Sequence, residues 1–143
     1  MNSRVDSKMN HGFYHHIDDD KHLIITTCIS VETTEEDMIK ALAYYQEHIQ
    51  NQPDYINYNE VLILPEATDI DLTFSGVKKL AKLAIKSDRE DPNRKLALLM
   101  QSNLGYSLAK MYQVYRNLIK RSGKQIRVYK QVKSALDWAR KTD

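Results

Sequence analysis

The sequence predicts an α/β domain with a mixed, mostly parallel five-stranded sheet, an N-terminal antiparallel hairpin and four packed helices. Three observations predict it. Apolar or β-branched runs recur at residues 23–29, 61–64, 96–100 and 126–129, as in strands with little solvent on either face. Stripes of apolar residues at steps of three and four lie between and after these runs, the period of a helix with one buried side. Breaks at Pro53, Pro65, Asp91-Pro92-Asn93 and Gly123 separate the two kinds of segment. Strands alternating with helices at this spacing call for right-handed crossovers between parallel neighbours.

The elements follow in order. Residues 1–10 read as a loose polar tail and residues 11–143 as one domain. Residues 11–17 and 22–30 are extended around Asp18-Asp19-Asp20-Lys21, which reads as a hairpin turn. In Thr33-Thr34-Glu35-Glu36, Thr33 is placed to cap a helix and Glu36 to reach back, and Met38, Leu42, Tyr45 and Ile49 form that helix's inward stripe. After the strand at 61–64, residues 66–71 read as a polar loop. A second helix at 74–86 buries Val77, Leu80, Ala81 and Ala84 and turns Lys78, Lys82 and Lys86 to solvent. Residues 87–94 form a loop before the strand at 96–100. A third helix at 104–121 carries Leu108, Met111, Tyr115 and Leu118 inward, with Gly123 ending it. Ile126, Val128 and Tyr129 supply the last strand, and Val132, Ala135, Leu136 and Ala139 the inward stripe of the last helix.

Composition narrows the function classes. At 143 residues, 42% hydrophobic and 28% charged, the chain has the size and balance of one globular domain. No apolar run approaches the roughly 20 residues that cross a bilayer, and the polar start lacks a secretory stretch, so a cytoplasmic protein without integral membrane association is expected. Cys28 is the single cysteine, which excludes an intrachain disulfide and a thiolate zinc site. Residues 1–72 hold 4 Lys and Arg against 14 Asp and Glu, a net of −10, whereas residues 73–143 hold 17 against 5, a net of +12. The basic residues come without a nucleic-acid motif, so the asymmetry reads as a surface dipole within one domain, and no nucleic-acid partner is expected.

Few residues assemble into chemistry. The four glycines, at 12, 76, 105 and 123, are too scattered for a phosphate loop. His11, His15, His16 and His22 gather near the hairpin, but alternation sends His15 and His16 to opposite faces, so solvated hairpin histidines are expected rather than a metal site. Cys28 reads as a core thiol and Asp18 to Asp20 as a turn. An acid–base pair would need Asp69 or Asp71 beside a histidine, and the sequence sets none together; a non-enzymatic domain without cofactor or metal is therefore expected. In open α/β sheets ligands gather outside the carboxyl ends of the strands. That singles out the loops at 30–34, 65–73 and 101–106, with Asp69, Asp71, Thr73, Ser75, Ser102 and Asn103 as partner- or ligand-binding candidates. Ser102 or Asn103 also reads as an ordinary N-cap. Tyr106 and Tyr112 can border a small apolar or anionic ligand held between the second and third helix starts. A tyrosine-rich helix face and a sheet edge leave homodimerisation open.

The segments Lys95-Leu-Ala-Leu-Leu-Met100, Gly105-Tyr-Ser-Leu-Ala-Lys-Met-Tyr112, Ile126-Arg-Val-Tyr-Lys130 and Ala135-Leu-Asp-Trp-Ala139 resemble the bacterial STAS-like, SpoIIAA-like family of small stand-alone domains. The resemblance spans residues 12–140 as an ordered set of elements. It implies a SpoIIAA-like fold and, from the family's anti-sigma-factor antagonists, a regulatory domain that binds a protein partner. It also implies phosphorylation of a serine opening the helix after the central strand. In Thr73-Phe-Ser-Gly76 that position is Ser75; the antagonists have Asp-Ser-Ser-Gly, and Asp71 here stands two places early. The same broad fold in SEC14-type lipid carriers implies the alternative, a small lipid-like ligand in a groove.

Overall fold

The computed structural model describes residues 9–88, 94–119 and 124–140. The chain runs β1 (Met9–Asn10), β2 (Phe13–Asp18), β3 (Leu23–Cys28), β4 (Glu32–Thr34), α1 (Glu35–Tyr45), β5 (Asn59–Leu64), β6 (Asp69–Asp71), α2 (Phe74–Ile85), β7 (Arg94–Met100), α3 (Asn103–Ile119), β8 (Lys124–Tyr129) and α4 (Val132–Arg140). A π-helical turn, Gln46–Gln50, prolongs α1.

The α/β class and the mostly parallel sheet are as the sequence predicts. The main sheet has six strands in the order β1-β2-β3-β5-β7-β8, antiparallel from β1 to β3 and parallel from β3 to β8. Five strands were expected. The sixth is β1, two residues of the apparent tail, folded onto β2 by a tight turn in which His11 (φ 50°) and Gly12 (φ 88°) are left-handed. Glycine is required there, because a Cβ would collide with Ser30 Oγ. The expected polar loop at 66–71 contains a strand as well: β6 pairs in parallel with β4 in a separate two-stranded ladder. Its Asp-Ile-Asp alternation buries only Ile70, too little apolar surface to read as a strand.

The first helix cap lies one residue beyond the expected Thr33. Thr34 Oγ1 accepts from the Asp37 amide at 3.1 Å, and Asp37 Oδ2 accepts from the Thr34 amide at 3.2 Å. Thr33 is buried opposite Ile70 in β4, so the strand claims it and the helix starts later.

Alternation along the strands sorts the core into two faces. Phe13, Cys28, Leu64, Leu98, Met100 and Ile126 point towards α1 and α3, while Leu23, Val61, Ala97 and Leu99 point towards α4. The helix α2 sits across α1 and α3, which are its main neighbours in place of any strand. The buried stripe of α3 runs through Gly105, Ala109 and Arg116, with Tyr112 half-buried, so Leu118, expected inward, is exposed. Arg116 takes an inward place on this helix, paired with Asp88. On α4, Trp138 joins Ala135 and Ala139 inward, and Val132 is exposed. The breaks expected at 91–93 and Gly123 lie outside the described residues.

Candidate functional site: an apolar rim and a buried polar cluster

At the carboxyl ends of the parallel strands the expected loops do form one rim. Asp69, Asp71, Thr73 and Ser75 are exposed along β6 and the first turn of α2. Thr73 Oγ1 accepts from the Gly76 amide at 3.1 Å, and Ser102 Oγ from the Gly105 amide at 3.0 Å, so both cap their helices. Asn103 is exposed and accepts from Lys130 Nζ. Tyr106 is half-buried with Lys110 and Lys130 Nζ 5.9 and 5.3 Å from its ring centre. A Cβ on Gly105 would stand 3.1 Å from Ile70 Cδ1, so β6 and the start of α3 touch and the candidates share one surface. Tyr112 does not belong to it: two turns further along α3, it faces the interior.

Loop residues that the sequence left unmarked give the rim its character. Val31 is 85% and Phe74 67% exposed, and Ile29 and Leu104 are also exposed. Around them stand the exposed carboxylates of Glu32, Glu66, Asp69 and Asp71, none in an ion pair among the described residues. Lys78, Lys82 and Lys86 are exposed as expected, and Lys78 lies 5.7 Å from the Tyr115 ring centre.

A second polar region lies inside, at the amino ends of β5, β7 and β8, the opposite end from the one the sequence points to. Glu60 Oε1 accepts from Lys124 Nζ at 2.6 Å, with Arg94 Nη2 at 3.5 Å. Its Oε2 accepts from the Tyr45 hydroxyl at 2.6 Å and from Gln50 Nε2 at 2.8 Å. Burial pushes the Glu60 carboxyl up, but Lys124 and then Arg94, with the hydrogen bonds from Lys124 and Tyr45, outweigh it and hold it at about 2. Burial and the neighbouring Glu60 raise Tyr45 well above the ordinary phenol range. Beside this set, Arg116 Nη2 reaches both Asp88 oxygens at 2.6 and 2.8 Å, and its Nη1 donates to the Tyr112 hydroxyl at 2.9 Å.

His15, expected to be solvated, is buried. Alternation is the reason: it lies between Phe13 and Ile17, whose side chains fill the same face. Asn10 Nδ2 also donates to the Ala41 carbonyl, which fixes its amide and makes it the donor to His15 Nε2 at 3.1 Å. His15 Nδ1 therefore carries the proton and donates to Thr26 Oγ1 at 2.8 Å. Burial lowers its pKa to about 4. Cys28 is buried, as expected of a core thiol.

Between these ends, under α2, lies a cavity of about 170 Å³. Its walls are mainly apolar, with Met38, Leu80, Leu98, Met100 and Ala109 among them, and its polar end is formed by Tyr45, Gln50, Glu60, Tyr112, Arg116 and Lys124. Sequence reading missed Glu60, Arg94 and Lys124 because it began each strand at the first apolar residue. Counting back by two from Leu62, Leu96 and Ile126 would have placed all three on the cavity face.

Among the described residues, no three His, Cys, Asp or Glu side chains gather as a metal site requires, and no helix is long and apolar enough to cross a membrane. Fold and site together define a class: an α/β domain with a mostly parallel sheet, an apolar acidic rim, and a cavity ending in buried charges. Comparison with protein-family models, with curated proteins and with solved structures finds no match to this chain.

Proposed function

We propose that the protein is a non-enzymatic regulatory or interaction domain of the STAS-like type, working in the cytoplasm, whose carboxyl-end rim docks a protein partner. The observation that carries the reading is the exposure of Ile29, Val31, Phe74 and Leu104 on one rim, within a border of unpaired carboxylates. Large apolar side chains left in water beside polar ones mark interaction surfaces. The partner's chemistry follows: a segment with large apolar anchors flanked by Lys or Arg. A second copy of this chain fits less well, since two acidic rims repel. Ser75, exposed next to Phe74, is the candidate phosphorylation position; a phosphate there adds about two negative charges and obstructs the apolar contact.

The test is photo-crosslinking from a reactive residue at position 74 in the native host, with Val31→Asp as the control. The reading predicts one recurrent partner with a basic, apolar segment, lost in Val31→Asp and rebound by the purified proteins in a salt-sensitive manner. Equal capture with and without Val31→Asp, or crosslinks only between copies of this chain, contradicts it.

A further inference from the structure

The cavity under α2 is large for a protein interior, where voids bigger than a water molecule are few. At about 170 Å³ it matches the engineered cavity of ~150 Å³ that holds benzene. The helix α2 rests mainly on α1 and α3 rather than on the strands, so the sheet beneath it is spanned rather than covered. Leu62 and Leu96 record the gap. They lie on central strands and on the helix-covered face, yet each is only half-buried, and both line the cavity.

Charge is unbalanced at the cavity's polar end. Among the described residues three cations, Arg94, Arg116 and Lys124, meet two carboxylates, Glu60 and Asp88, a net of +1, and none of the five side chains is more than 6% exposed. An excess charge away from water loses its hydration without full compensation, so a buried cluster of this sign favours an anion beside it.

A hydrogen-bond donor stands at the same end. The Tyr112 oxygen accepts from Arg116 Nη1 at 2.9 Å, and its own proton meets no acceptor among the described residues. Burial raises the Tyr112 pKa above the ordinary phenol value against the pull of Arg116, so the hydroxyl keeps that proton. Tyr112 lines the cavity and is half-buried, as Leu62 and Leu96 are. A carboxylate only accepts, and a hydroxyl next to a guanidinium offers it both a proton to bond and a charge to face.

The remaining wall sets the rest of the ligand. Met38, Leu80, Leu98, Met100 and Ala109 present no polar side chain, so the body behind the charged head is apolar.

We propose that this cavity binds a compact apolar monocarboxylate, about one ring in size, with its body under α2 and its carboxylate at the end formed by Tyr112, Arg116 and Lys124. The site is separate from the rim, and the ligand's single negative charge offsets the cluster's excess.

The experiment titrates the full chain with benzoate, toluene and benzylammonium, read by calorimetry and by thermal shift. Benzoate binds saturably, toluene at least tenfold more weakly for want of a charge-assisted hydrogen bond, and benzylammonium at least a hundredfold more weakly. Ala109→Leu, which fills the cavity from its apolar wall, weakens benzoate and toluene at least tenfold while unfolding stays cooperative. Tyr112→Phe, a change of one oxygen, weakens benzoate about tenfold and leaves toluene unchanged. Val31→Asp on the rim leaves benzoate affinity unchanged, so a failure of the docking proposal is read separately. Benzoate binding no tighter than toluene, benzylammonium binding as tightly as benzoate, benzoate binding indifferent to Tyr112→Phe, undiminished binding to a folded Ala109→Leu, or no binding of benzoate at all overturns the proposal.

Discussion

The two faces of the sheet are finished differently. Against one lies α4 alone, with Ala135 and Ala139 seated flush on Ala97 and Leu99 and the Trp138 ring covered by cations: Arg127 lies 4.8 Å and Lys95 5.5 Å from its centre. The end of α4 is closed by side chains as well. Lys95 Nζ donates to the Trp138 carbonyl at 3.3 Å, and Asn59 Nδ2 to the Ala139 carbonyl at 2.9 Å, satisfying carbonyls that a helix end leaves unpaired. Against the other face lie three helices, one carried by the other two, with a cavity beneath them and buried charges at one end. α4 packs directly on the strands, whereas α2 rests on α1 and α3 and leaves space beneath it. The face with more helices is the less filled, and that is where space for a ligand exists.

The largest expected effect belongs to the filled face. Trp138→Ala should cost about 4 kcal/mol in urea unfolding, through lost burial and the cavity left behind. Glu60→Gln on the other face should cost about 3 kcal/mol, because Lys124 and Arg94 then stay buried beside a neutral amide. A loss below about 1 kcal/mol would mean that the cluster is wet and its charges only weakly coupled.

Acid should separate the faces too, since His15 and Glu60 both belong to the helix-rich one. His15 is held at about 4, below its ordinary 6.5, so the unfolded chain binds its proton first and stability falls as pH drops from 6.5 to 4. The loss is on the order of 3 kcal/mol and is complete below pH 4. Glu60, held at about 2 from an ordinary 4.5, contributes stability that is present above 4.5 and lost as pH falls from there through 2. His15→Gln should remove the first step and keep the second, measured by urea midpoints at successive pH values.

A matched pair of substitutions sharpens the contrast at smaller magnitude. Ala135→Leu overpacks the α4 face and should cost about 2 kcal/mol. Ala109→Leu adds the same atoms into open space and should change stability by less than about 1 kcal/mol in either direction. Equal losses at both positions would mean that the cavity closes in solution.

The filled face was the legible one. Alanine spacing on α4 and the apolar runs of β5 and β7 state the elements and most of their buried sides, because burial by apolar residues leaves a periodic trace; the exceptions are Trp138, inward but not foreseen, and Val132, expected inward but exposed. The helix-rich face was legible only in part. Met38 and Leu42 were read as inward, but Glu60, Arg94 and Lys124 sit where strands begin, and a charged residue there looks like a loop. Gln50 was hidden for another reason: the π-helical turn shifts the register, so that Ile49 and Gln50 are buried side by side, which no regular helical period foretells. Arg116 was missed because the stripe was read through Leu108, Met111, Tyr115 and Leu118, and a charged residue argues for solvent unless a partner such as Asp88 is known. Of the rim, the polar loops were legible and the exposed Val31 and Phe74 were not, since an apolar residue carries no sign of which side of the surface it occupies.

The most direct measurement is a crystal structure of the full chain under xenon pressure, since xenon enters open apolar space and marks its own position by anomalous scattering. A xenon peak under α2 between Leu98 and Ala109, and none between α4 and the sheet, is the predicted result. A face under α1 to α3 closed by its own side chains, or xenon between α4 and the sheet instead, would contradict the account.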